Sequence, residues 1–158
     1  MKQAVVKLCA TGLYSGYFPF AAGTVGTVPA WLIAFYLISD NPLLMASAAS
    51  IAFVVSVWAA TEAELLFGHD SKMIVSDEWA GMFVSLVLVP FSLSNFLIAF
   101  VMFRLFDVIK LPPASQAERL PRGWGVTMDD MVAGVQANVA TQLIILVMNQ
   151  FSQQPVGG

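Results

Sequence analysis

Cysteine, histidine and charge are what this chain has least of. One cysteine, Cys9, and one histidine, His69, occur in 158 residues. A lone cysteine excludes an internal disulfide and a multi-cysteine zinc site. A lone histidine excludes a multi-histidine metal centre. Charged residues make up 11% of the sequence, against roughly 25% in a typical soluble domain. The net charge of −3 leaves no basic footprint for nucleic acid. Linkers and low-complexity segments are missing too, so residues 1–158 read as a single domain.

Apolar residues fill the space. They form 58% of the chain, and mean hydropathy is +0.78. Residues 8–39, 41–61, 79–103 and 131–158 contain no Asp, Glu, Lys or Arg. Each run exceeds the roughly 20 apolar residues that a membrane-spanning helix needs. A soluble bundle would show polar faces instead. Lys2 and Lys7 ahead of an apolar stretch imitate a signal peptide, but residues 14–27 are rich in Gly, Ser, Thr and aromatics and read as structural. The expected fold is all-α, a small polytopic membrane helical bundle embedded in a lipid bilayer.

The expected elements are a short interfacial helix before Thr11, a loop over 12–27 that dips into the bilayer, and five longer stretches. Helices are expected over 28–39, 43–67, 77–89, 96–110 and 128–150, followed by a polar tail. Asp40-Asn41-Pro42 and residues 90–95 are turns. Residues 68–76 and 111–126 are polar or amphipathic connections. The third and fourth of these helices are short for a bilayer core of about 30 Å. A single span over 79–103 is the alternative to the hairpin; Pro90, Ser92, Ser94 and Asn95 favour the hairpin. With the hairpin, Lys2, Lys7, Lys72, Arg104, Lys110, Arg119 and Arg122 share one side, together with every acid except Asp40. The positive-inside rule makes that side cytoplasmic.

Two stretches echo each other. Asp77-Glu78-Trp79-Ala80-Gly81 and Asp129-Asp130-Met131-Val132-Ala133-Gly134 each put paired carboxylates at an expected helix start, with small residues one turn on. Capping is one reading: Thr127 with Asp130 fits a capping box, and Ser76 fits a cap of the other helix. The other reading is functional, because ionisable groups in membrane chains are rare, costly and usually functional. Four converging carboxylates, Asp77, Glu78, Asp129 and Asp130, repel one another unless a cation sits among them, and hard oxygen ligands with retained waters suit Mg²⁺. Ala133, Gly134, Ala137, Asn138 and Thr141 share one helix face, and Glu78, Gly81 and Ser85 form a weaker stripe. Such stripes let helices approach closely in lipid.

Arg104, Asp107 and Lys110 recur every third residue. They read either as a salt-bridged helix end or as a phosphate clamp, with Arg104 as a bidentate fork and Lys110 as a point charge. Asp107 would orient Arg104 or join the metal site. Gly23, Thr24, Gly26 and Thr27 lie in a Gly-Thr loop whose N–H groups suit an anion, though ordinary loops share that composition. His69 is a surface residue or a proton donor to a leaving group.

Several chemistries drop out. Cys9 has Ser15, not arginine, six positions on, so the loop of cysteine-dependent phosphatases is missing. No Asp-x-Asp occurs, and a histidine-based lipid phosphatase wants more than one His. A metal-assisted route remains.

Four segments resemble the phosphatidylglycerophosphatase A family. His69-Asp70 followed by Ile74-Val75-Ser76-Asp77-Glu78-Trp79-Ala80-Gly81-Met82 is similar to its HD…IV-DE-x-x-GM segment. Phe103 to Lys110 looks like FR-x-x-D-x-x-K, and Gly123 to Gly134 looks like G-x-G-x-x-x-DD-x-x-AG. Gly23 to Thr27 resembles GT-x-G-[ST]. One departure is that Lys110 precedes Leu111-Pro112-Pro113 where the family has Lys-Pro-x-Pro. The resemblance implies a Mg²⁺-dependent phosphatase of phospholipid biosynthesis. It would convert phosphatidylglycerophosphate to phosphatidylglycerol at the bacterial inner membrane. Asp77, Asp130, Arg104, Lys110 and His69 are then the expected catalytic residues, with direct water attack and an aspartyl-phosphate both open. The rival class is a non-enzymatic transporter or cation-binding subunit, which would place ionisable groups near the midplane.

Overall fold

The computed structural model describes residues 2–68 and 71–152. His69, Asp70 and the tail over 153–158 lie outside the described residues, so the expectations for them are not addressed. Seven α-helices and no strand occur among the described residues. They are α1 (Lys2–Ala10), α2 (Ala22–Ile33), α3 (Pro42–Phe67), α4 (Ser76–Leu86), α5 (Leu93–Ile109), α6 (Ala114–Ala117) and α7 (Gly123–Ser152). A 3₁₀ turn at Ser15–Tyr17 precedes α2, and a π turn at Ala34–Ile38 extends it.

Helices α3 and α7 are long and apolar enough to cross a membrane. Apart from Met45 and Ile145, the uncharged residues of their packing faces are small or hydroxylated. On α3 these are Ala49, Ser56, Ala59, Ala60 and Ala63; on α7 they are Ala133, Gly134, Ala137 and Thr141. Their large apolar residues point outward, among them Leu43, Ile51, Val54, Val139, Leu143 and Leu146. In water this would be inside out. In lipid, where burying a leucine between helices gains little, close backbone approach through small residues is the expected solution.

Between these helices sits α4. At about 1.5 Å per residue it is ~16 Å long, half the bilayer core. Every residue of α4 except Trp79 and Val84 is buried. The chain breaks after Leu86 and resumes helix at Leu93, with Ser92 accepting from the Asn95 N–H at 3.1 Å as N-cap. Residues 79–103 are therefore a hairpin and not one continuous span. The carbonyls at the end of α4 would be orphaned inside the bundle. Asn138 of α7 meets them, donating to Ser85 O at 3.0 Å and Val87 O at 2.7 Å.

The two small-residue stripes do meet. A Cβ on Gly134 would lie 3.1 Å from the Gly81 Cα and even closer to its carbonyl oxygen. A Cβ on Gly81 would lie 2.7 Å from the Asp130 carbonyl oxygen. Only glycine at both positions lets α4 and α7 cross backbone to backbone. Phe96, Phe103, Met82 and Leu86 close the core beside this crossing.

Several boundaries differ from the sequence expectation: α4 ends at Leu86 where 89 was expected, and α5 starts at Leu93 where 96 was expected. Helix α2 starts at Ala22, so the Gly-Thr stretch is its first turns and not a loop, and Pro29 lies in the helix interior. Helix α7 starts at Gly123, five residues before the expected start, and α6 interrupts the preceding connection. Gly123 looked like loop composition, yet it is glycine for packing: a Cβ there would run into Val57 O and Thr61 of α3. The capping-box reading of Thr127 with Asp130 fails for the same reason, whereas Asp77 and Glu78 do lie in the first turn of α4, with Val75 and not Ser76 at the N-cap. Thr127 is four residues inside α7, and Asp129 and Asp130 follow in its second turn. Thr127 Oγ1 pairs instead with Ser56 Oγ at 2.9 Å, and Ser76 Oγ meets the same Ser56 hydroxyl at 3.2 Å.

Candidate active site

The hydroxyl triad of Ser56, Ser76 and Thr127 ties α3, α4 and α7 together beneath the acidic residues. One residue beyond Ser76, Asp77 and Glu78 open α4. Across the Gly81–Gly134 crossing, Asp129 and Asp130 occupy α7. All four are buried. Asp107 joins them from the last turn of α5. Its carboxylate lines the same cavity as Asp77, Asp129 and Asp130. Folding thus brings together the four paired carboxylates and Asp107, which the sequence placed either beside Arg104 or at the metal site.

The basic residues are placed to offset part of this charge. Arg104 Nη1 lies 3.0 Å from Glu78 Oε2 and 2.7 Å from Asp107 Oδ2. Thr27 Oγ1 donates to the same Glu78 oxygen. Gly23 makes room for this group, since a Cβ there would strike Glu78 Oε1 and lie 2.6 Å from Arg104 Nη2. One corner of the guanidinium is therefore anchored, while its Nε is buried with no hydrogen-bond partner. Lys110, at the C-cap of α5, reaches Asp129 Oδ2 at 2.7 Å and Glu118 Oε1 at 2.8 Å. Burial would lower the Lys110 pKa, but the hydrogen bonds to Asp129 and Glu118 outweigh it and hold the ammonium above the usual lysine range.

Two oxygens remain bare. Asp77 Oδ1 and Asp130 Oδ2 are buried without any hydrogen-bond partner. Buried polar atoms are nearly always satisfied, so each exception needs a reason. Asp129, by contrast, is fully used: Oδ1 accepts from the Asp130 N–H at 3.0 Å and Oδ2 from Lys110. No group of three or more carboxylate, histidine or cysteine side chains stands close enough to form a complete metal cage among the described residues.

The Gly-Thr stretch divides. Gly23 and Thr27 face Glu78 and Arg104. Thr24 is exposed, and Gly26 is buried against Val75 with its carbonyl accepting from Trp79 Nε1 at 2.9 Å. Ala21 caps α2 without a side-chain bond, so the first-turn N–H groups of α2 have no intrahelical acceptor. Glu118 and Ser56 were not singled out from sequence. Neither lies at helical spacing from its partners, so no periodic signal marks them.

Two cavities meet at this site. The inner one, 180 Å³, is lined by Asp77, Glu78, Asp107, Lys110, Asp129, Asp130 and Arg122. The outer one, 570 Å³, lies between the 16–23 segment and residues 71–74, and it shares Asp77, Glu78 and Val126 with the inner one. A desolvated basic fork, bare carboxylate oxygens and an adjoining chamber suit an anion that arrives with a cation.

Residues 8–145 match the family model described as phosphatidylglycerophosphatase A. A putative phosphatidylinositol-3-phosphatase from Bacteroides thetaiotaomicron is 35% identical over 136 residues, covering 81% of this chain and 86% of the relative. Phosphatidylglycerophosphatase A from Haemophilus influenzae is 30% identical, covering 84% and 83%. Its counterpart from Escherichia coli is 33% identical, covering 81% and 76%. No solved structure matches. Since the matched segment contains every residue of the carboxylate site, the chain belongs to the phosphatidylglycerophosphatase A family and is a phosphatase.

Proposed function

We propose that the chain is a Mg²⁺-dependent lipid phosphatase that hydrolyses phosphatidylglycerophosphate to phosphatidylglycerol and phosphate on the cytoplasmic side of the bacterial inner membrane. The observation that carries this reading is the pair of bare, buried oxygens on Asp77 and Asp130 beside a half-anchored Arg104. Mg²⁺ usually takes one or two carboxylates plus substrate phosphate and keeps several waters. A complete protein cage is therefore not required, and Asp77 and Asp130, with Asp107 beside them, fit this mode. When bound, the ion would offset charge on the phosphate oxygens.

The chain's own residues supply the rest. Glu78, Thr27 and Asp107 fix Arg104 so that its free edge can take phosphate oxygens bidentately. The first-turn N–H groups of α2 add donors. Asp129 and Glu118 hold Lys110 as a charged neighbour. Proximity and charge stabilisation are most of what phosphoryl transfer needs. The P–O ester bond breaks, the phosphoryl group passes to water or to an aspartate, and the released glycerol oxygen takes a proton. His69 is the proposed donor of that proton.

The names of the relatives leave two headgroups in play. Phosphatidylglycerophosphate and phosphatidylinositol 3-phosphate both carry a phosphomonoester on a polyol that a phosphodiester joins to the lipid. Purified protein should release phosphate from phosphatidylglycerophosphate faster than from phosphatidylinositol 3-phosphate, lose the activity in chelator and regain it with Mg²⁺. Preference for the inositide would reassign the substrate, and full activity in chelator would remove the metal. Sidedness follows from labelling: Ser94→Cys in a Cys9→Ser background should react with an impermeant thiol reagent from outside the cytoplasm, and Ser71→Cys should not. The reverse pattern would invert the topology.

A further inference from the structure

We infer that the outer chamber recognises the second phosphate of the substrate, the phosphodiester between polyol and lipid, and that Lys72 is the residue that contacts it. The inference rests on the lipid-phosphatase reading above.

The outer chamber is about three times the volume of the inner one, more than a phosphomonoester needs. Among the described residues it meets the inner cavity along a shared wall of Asp77, Glu78 and Val126. A headgroup whose terminal phosphate sits at that wall has room to run outward through this chamber. Among the described residues, the chamber's one basic lining residue is Lys72. Arg104 and Lys110 each serve two carboxylates, whereas Lys72 has no hydrogen-bond or ion-pair partner among the described residues. An exposed ammonium on the chamber lining, with no partner among the described residues, suits a singly charged diester, for which a point charge is enough and a bidentate fork is unnecessary.

The rim fixes the direction of the lipid. Tyr17 and Phe18 line the chamber and are half exposed, and Tyr14 and Phe20 next to them are exposed as well. Aromatic rings of this kind settle at the headgroup level of a bilayer. The acyl chains would leave past this rim, with the diester just inside it and the monoester at the carboxylates. Lys72 would then be a specificity-determining residue that binds substrate without touching the reacting bond.

The experiment compares wild type, Lys72→Ala and Lys72→Arg in neutral detergent micelles, which removes attraction to an anionic bilayer. Phosphatidylglycerophosphate is the substrate, and inorganic phosphate, which has no diester, is the competitive inhibitor. Lys72→Ala should raise KM about tenfold, leave kcat within about twofold and leave the inhibition constant of inorganic phosphate unchanged. Lys72→Arg should restore most of the KM. An unchanged KM, or an equal weakening of inorganic phosphate, would overturn the inference and leave the phosphatase reading intact. Failure of wild type to release phosphate from this lipid would overturn both.

Discussion

The start of α4 and the second turn of α7 carry the same two-residue chemistry in different surroundings. In each pair one carboxylate holds a basic residue: Glu78 takes Arg104, and Asp129 takes Lys110. In each pair the other, Asp77 or Asp130, keeps a buried oxygen with no partner. The pairs come from different helices, and their held cations come from opposite ends of one stretch of α5. Adjacent acids in a helix point in different directions, about 100° apart at 3.6 residues per turn. A doubled acid can thus aim one group at a side-chain cation and one at the space between the helices.

Breaking the bare members should have the largest effect. Asp77→Asn and Asp130→Asn keep shape and hydrogen-bonding capacity but remove the charge. Each should lower phosphate release about a hundredfold or more, as when electrostatic stabilisation worth roughly 3 kcal/mol is lost. The variants should remain folded and extractable in detergent. Normal activity in both would place the chemistry elsewhere.

The comparison also requires the two pairs to be close. Gly134→Ala puts a methyl into the Gly81 backbone, and overpacking of this kind costs about 1–3 kcal/mol. Thermal denaturation in detergent should register that loss, with activity falling alongside. A variant as stable as wild type would mean that the helices do not cross where described.

Arg104→Lys sharpens the role of the anchored fork. It keeps the charge and loses the bidentate geometry, so kcat/KM should fall by about an order of magnitude. Unchanged kinetics would return Arg104 to a salt-bridged helix end. Glu78→Gln should do less, a loss of a few-fold, because Asp107 and Thr27 still hold the guanidinium. A hundredfold loss there would make Glu78 equivalent to Asp77 and end the division between the two members of each pair.

Much of this was legible in the sequence, and the misses have physical causes. The uncharged runs marked the helices, and Pro90 to Asn95 marked the break between α4 and α5. Asp40-Asn41-Pro42 read as a turn, and there Asn41 also caps α3, its Oδ1 accepting from the Leu44 N–H at 3.0 Å. The small-residue stripes marked the seam between α4 and α7, because glycine spacing on a helix face is local information. Where glycine appeared near Thr or Trp, however, composition suggested loop, and Gly23 and Gly123 turned out to lie in helices. Their reason is a neighbour from a distant segment, Arg104 in one case and α3 in the other, which local reading does not reveal. The acids were found as a set. Which member of each pair is bare depends on where Arg104 and Lys110 fall in three dimensions.

The most direct test is a Mg²⁺ titration of phosphate release by Asp130→Asn beside Asp129→Asn. These neighbours lie on one helix and lose the same charge, so bulk electrostatics affects them alike. If the bare oxygen belongs to the metal, Asp130→Asn should need about tenfold more Mg²⁺ for half-maximal activity and be partly rescued at high Mg²⁺. Asp129→Asn should keep the wild-type Mg²⁺ requirement while its rate falls through the loosened Lys110. Equal shifts in both variants, or no shift in Asp130→Asn, would contradict the account.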